Sequence, residues 1–122
     1  MSPPSVYVGD ESGPIRLGVS DKLRADGIHV YTPSSRGDPE RDTASIGGFK
    51  CALLHLDRLD GKADAIDFAD LLRVYQPTLP VAFLHETAPE PMLRRARVVG
   101  PVFKIPDDLE AAHEWARDQA KR

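Results

Sequence analysis

The stretch "CALLHLDRLDG", Cys51 to Gly61, decides how the rest of this chain is read. Its first four residues, Cys51 to Leu54, are an apolar run that neither alternates nor follows a helical period. A short unbroken apolar run of this kind suits a parallel strand covered on both faces, here 49–56. The strand then ends in His55, and Asp57 follows two residues later. An imidazole and a carboxylate where a core strand gives out mark the place to look for chemistry.

Outward from that strand, short apolar runs alternate with helical patterns. "SVYVG" (5–9) is rich in β-branched residues and reads as the first strand. In "SGPIRLGVSDKLRADG", Ile15, Val19 and Leu23 recur every four residues as a helical stripe, and Gly27 is a natural stop. "IHVYT" (28–32) is a second strand, and the turn-rich "PSSRGDPERDTASIGG" predicts a loop with at most one short helix. After the third strand, "ADAIDFADLLRVY" is a helix with Ile66, Ala69 (or Asp70) and Leu72 inward. "LPVAFLH" (79–85) is the fourth strand. "APEPMLRRARVVG" is a shorter helix that tolerates Pro89 and Pro91 at its start. "PVFKI" (101–105) is the fifth strand, and "PDDLEAAHEWARDQAKR" closes as a helix capped by Asp107 or Asp108. Five strands alternating with helices predict a doubly wound α/β domain with a five-stranded parallel sheet. Reactive groups in such sheets gather at the carboxyl ends of the strands. Those ends carry Asp10 and Glu11, His55 and Asp57, His85, and Lys104.

Composition narrows the function. A chain of 122 residues, 41% hydrophobic, suits a single domain over 1–122 with a core of its own. The lone Cys51 lies in an apolar run and reads as a small buried hydrophobe in a reducing compartment. No segment approaches membrane-spanning length, and the N-terminal "MSPPSVYVGDES" has neither a basic nor an apolar signal region. A cytoplasmic location is the expectation. A formal charge of −3 argues against general nucleic-acid affinity. The local basic exception is "MLRRARVV", with Arg94, Arg95 and Arg97.

The order of elements, the acidic pair after strand one, "ALLHLDRLDG", "QPTLPVAFL" and "KIPDDLEAA" together resemble the receiver domain of bacterial two-component response regulators. The resemblance covers essentially the whole chain. It implies the flavodoxin-like, CheY-like sheet order 2-1-3-4-5. It also implies a set chemistry, in which an acidic pair and a third-strand aspartate hold Mg²⁺ and that aspartate accepts a phosphoryl group. A Thr or Ser ending strand four and a Lys ending strand five contact the phosphoryl oxygens. Hard cations take carboxylate oxygens, and developing negative charge takes metal, ammonium and hydroxyl donors.

This sequence departs from that pattern at most of its positions. Asp10 and Glu11 keep the acidic pair, with Glu11 one methylene longer than the usual aspartate. The third strand has two registers: one puts His55 in the phosphoacceptor place, the other Asp57. The two side chains share a face and lie about 6.6 Å apart along a strand. Burial of the strand favours His55. His85 replaces the small hydroxyl. Matching Pro106 to the family proline leaves Ile105 in the lysine's place, with Lys104 one position off, and Phe103 likewise displaced from the family's aromatic switch position. A one-residue shift turns a side chain to the other face.

The expected function is a receiver-like signalling module that works by protein–protein interaction without aspartyl phosphorylation, and so is not an enzyme and needs no cofactor. The alternative is an active phosphoacceptor using Asp57, with Mg²⁺ on Asp10, Glu11 and Asp57. A minor third option brings His55, His85 and a carboxylate together around a transition metal. The partner is a signalling protein of unknown identity, or a second copy, and neither nucleic acid nor membrane. The family's usual output surface, its fourth helix, fifth strand and fifth helix, would carry Arg94, Arg95, Arg97, Lys104, Phe103 and Trp115. Trp115 lies off the stripe Leu109, Ala112, Ala116 and is expected at the rim of the last helix.

Overall fold

A computed structural model describes residues 5–9, 16–31, 48–56, 65–105 and 107–122. Five parallel strands form one sheet: β1 (Ser5–Gly9), β2 (His29–Tyr31), β3 (Cys51–His55), β4 (Val81–His85) and β5 (Val102–Lys104). Their spatial order is β2-β1-β3-β4-β5, as expected. β3 and β4 are buried along their whole length, which accounts for their uninterrupted apolar runs.

The sheet separates two hydrophobic layers. On one face Val6, Val8, Cys51, Leu53, Ala82, Leu84 and Ile105 pack against Val19 and Leu23 and against the last helix, α4 (Leu109–Ala120). On the other face Tyr7, Ala52, Leu54, Val81 and Phe83 pack against α2 (Ala65–Tyr75) and α3 (Glu90–Val99). The α4 face is built from alanine. Ala112, Ala116 and Ala120 recur every four residues, all buried, so the helix backbone lies close on the sheet. Cys51 accordingly donates its thiol proton to the Ala116 carbonyl, with Sγ and O 3.9 Å apart.

Helix positions follow the apolar stripes closely. Val19 and Leu23 are buried as spaced, and so are Ile66, Ala69 and Leu72 on α2. The first helical segment is not uniform. Arg16–Ser20 is π-helical and runs into α1 (Asp21–Ala25). Gly27 ends it with φ +80°; its N–H donates to Arg24 O (3.0 Å), and that of Ile28 to Leu23 O (3.1 Å). Pro89 is the N-cap of α3 and Pro91 sits in its first turn.

One capping expectation is corrected. Asp108 occupies the N-cap position of α4, but its side chain does not cap the helix. Its φ of −104° and ψ of 21° are not the extended N-cap geometry that turns a side chain toward the first helical N–H groups. The carboxylate instead accepts from the Lys104 backbone N–H at 3.2 Å and pins the end of β5.

Two polar clamps join distant segments. The Gln76 amide accepts from the Phe49 N–H at 2.8 Å and donates to the Phe49 carbonyl, fastening the lead-in of β3 to the end of α2. His113 Nε2 meets Asp26 Oδ2 at 2.7 Å, tying α4 to the end of α1.

Candidate functional site at the carboxyl edge of the sheet

The acidic pair Asp10 and Glu11, and Asp57 beyond the third strand, lie outside the described residues, as does Pro106. The site is therefore built from the ends of β3, β4 and β5. Strand register decides which of those ends meet. His55 pairs with Leu84, and His85 pairs with Lys104. Neighbours in register on parallel strands share a face, and successive residues alternate. His55 thus follows Leu53 to the α1/α4 face, where Leu84 also lies. His85 follows Phe83 to the α2/α3 face.

The two imidazoles sit on adjacent strands but on opposite sides of the sheet. Both are buried, with relative exposures of 8% and 9%. The Nδ1 of His85 has no hydrogen-bond partner among the described residues. No group of three or more His, Cys, Asp or Glu suited to a metal ion occurs among the described residues. The idea of two histidines converging on one ion finds no geometry here, because the register separates them.

The last strand divides in the same way. Lys104 shares the side of His85 and is exposed. Ile105 turns to the other side, the side of His55, and is buried at 4% exposure in the layer under α4. Its N–H donates to the His85 carbonyl at 2.8 Å, so its position is held by the β4–β5 ladder. Where the sequence comparison placed a lysine, the molecule has a buried aliphatic side chain. Phe103 is half-buried on the α4 side and packs on Trp115, with ring centroids 6.5 Å apart and planes at 55°. Trp115 is half-buried at the rim of α4.

The basic cluster on α3 is split by helix geometry. Arg95 and Arg97 are two residues apart, about 200° around the axis. Arg95 reaches α2 and pairs with Asp67 at 3.9 Å. Arg97 and Arg94 share Glu90, at 2.9 and 3.7 Å. Arg95 therefore points toward α2 and away from the surface formed by α3, β5 and α4. These pairs are exposed and each is worth little, but they neutralise part of the cluster.

Cys51 behaves as its setting implies. Burial pushes its thiol up from 9.0 to about 12, because the thiolate would lose its water there. It is a core residue, not a nucleophile. The Asp26–His113 pair, by contrast, joins residues 87 apart and carried no local signal in the sequence.

No protein-family model matches the chain, and no curated protein matches it. Solved structures do. A response regulator receiver protein from Sinorhizobium medicae superimposes with a TM-score of 0.79 at 13% identity, covering 98% of this chain and 96% of its own. A response regulator from Thermotoga maritima gives 0.69 at 20% identity, covering 99% and 100%. The chemotaxis protein CheY4 of Vibrio cholerae gives 0.70 at 18% identity, covering 96% and 98%. Over nearly its whole length, with its strands in the order 2-1-3-4-5, this chain has the fold of the response-regulator receiver domains.

Proposed function

We propose that the chain is a receiver-like signalling module that works by binding other proteins and is not phosphorylated on aspartate. The observation that carries this reading is Ile105. Receivers place an ammonium at the end of strand five to meet the incoming phosphoryl oxygens. Here the side of the sheet that carries His55 receives a buried isoleucine, while Lys104 lies on the opposite side. A developing phosphoryl charge on the His55 side would find an aliphatic wall in place of a cation, and phosphoryl transfer rests on electrostatic stabilisation.

His85 supports the same reading. An imidazole ending β4, buried among the α2/α3 layer, cannot follow a phosphoryl group as a small hydroxyl rotor does. Output then depends on surface contacts. The α4 rim offers an aromatic anchor, Trp115 packed on Phe103, on a helix that also exposes the acids Glu114 and Asp118, and is suited to a protein partner. No helix among the described residues is long and apolar enough to cross a membrane.

Intact mass after incubation with acetyl phosphate and Mg²⁺ tests the proposal. An unchanged mass is the expected result. Gain of one phosphoryl group, abolished by Asp57→Asn, would establish the opposite reading, with Asp57 as acceptor and Asp10 and Glu11 on the metal.

A further inference from the structure

Four large hydrophobic residues are exposed among those described: Leu71 (47%), Val74 (68%), Tyr75 (45%) and Val98 (88%). All four lie on α2 and α3, which sit side by side on one face of the sheet. Scattered exposed apolar residues are ordinary, but their concentration on one pair of helices is not. Leu71, Val74 and Tyr75 are spaced i, i+3, i+4, so they form a stripe on α2, clear of the buried stripe Ile66, Ala69, Leu72.

The charges on these helices are segregated. The exposed acids of α2 are Asp67 and Asp70, and its Arg73 is turned inward, donating to the carbonyls of Leu79 (3.1 Å) and Val99 (3.3 Å). On α3, three arginines (94, 95 and 97) against one glutamate (Glu90) leave a charge of +2. One helix is acidic and apolar, and its neighbour is basic and apolar. The Asp67–Arg95 pair at 3.9 Å already bridges the two within one chain.

We infer that this face binds a second copy of the chain. In a face-to-face two-fold dimer the same patch must complement itself. An axis running between α2 and α3 and along them brings the acidic α2 of one copy over the basic α3 of the other, twice. The apolar stripe and Val98 are then covered in the same step. This arrangement is independent of phosphorylation and uses the face of the sheet opposite Trp115 and α4.

The patch is small. Two adjacent helices of about three turns, each about 16 Å long and about 10 Å wide, cover roughly 300 Å² in projection. Standard interfaces bury about 800 Å² per partner, so the dimer is weak and reversible.

Sedimentation equilibrium of the full chain from about 1 to about 500 μM, at low and high salt, is the test. A monomer–dimer equilibrium is expected, weakened by salt as screening requires. Val98→Glu with Val74→Glu should leave a monomer at every concentration, with far-UV circular dichroism unchanged because both side chains are exposed. Asp70→Arg alone and Arg94→Glu alone should each weaken the dimer about tenfold, and the two together should restore part of the loss. A chain that stays monomeric to the highest concentration overturns the inference and leaves the face to another partner. So does a dimer indifferent to Val74 and Val98, or a double charge reversal no better than its worse single.

Discussion

Among the described glycines, Gly100→Ala is the substitution with the largest predicted consequence. Gly100 links α3 to β5 in extended backbone, φ and ψ both −176°, which any residue can adopt. The constraint is space. A Cβ at this position would stand 1.9 Å from the Val81 carbonyl oxygen, whereas ordinary contact begins at 3.4 Å. The difference, 3.4 − 1.9, means that β4 and the lead-in to β5 must part by 1.5 Å. That movement breaks the bond from the Phe83 N–H to the Pro101 carbonyl, now 2.9 Å. Overpacking of this kind costs about 1–3 kcal/mol, and a lost hydrogen bond about 1 kcal/mol. Alanine restores about 0.5 kcal/mol through the unfolded chain, leaving a net loss of about 1.5–3.5 kcal/mol. For a domain of this size that lowers Tm by roughly 10 °C. Urea denaturation followed by circular dichroism should show a lower midpoint at unchanged slope. Gly27→Ala is the control. Its φ is +80° but nothing lies within 4 Å of an added Cβ, so only backbone conformation is penalised, about 1 kcal/mol. A Gly100→Ala variant as stable as the parent, or less perturbed than Gly27→Ala, would refute the steric argument.

Two further outcomes follow from buried groups. The Cys51 thiol should be inert to Ellman's reagent at pH 8 in the folded chain and react on unfolding. Its folded pKa of about 12 lies above the ordinary 9.0, so the unfolded chain releases the proton first and stability falls as pH rises from 9 toward 12. Roughly 1 kcal/mol of that fall is due by pH 10, and it should be absent from Cys51→Val when the two are compared by urea midpoints at pH 8 and 10. Ser20 is fully buried and its hydroxyl has no partner among the described residues. Ser20→Ala should therefore raise stability by about 1 kcal/mol, and a lower urea midpoint for this variant would reveal a bond the hydroxyl makes.

The fold was legible because its signals are local. The runs Cys51–Leu54 and Val81–Leu84 are buried on both faces, and that is the condition that writes an unbroken apolar run into a sequence. The α2 stripe was legible for the same reason, with Ile66, Ala69 and Leu72 each spending a helical period on the core. The π-helical entry at Arg16–Ser20 was not, since the apolar positions Val19 and Leu23 keep the spacing of an ordinary helix. The separation of His55 from His85 depends on the pairing of β3 with β4, and a slip of one residue would have reversed it. The burial of Ile105 followed from the one-residue offset of Lys104, which the sequence did display. The division of the arginine cluster was readable in part. Helical spacing sets Arg95 opposite Arg97, but only three-dimensional packing supplies Asp67 as its partner.

The two strands at the margins of the sheet, β2 and β5, are three residues long, while the three inner strands have five. An open margin is where one chain can recruit another by backbone hydrogen bonding, extending a sheet without limit toward fibres. Three residues give such recruitment few amides to work with, and an invading strand would gain too little to displace water. Encounters between copies are thereby steered away from open-ended ribbons and toward helix surfaces, where shape and charge must match and the assembly closes on itself.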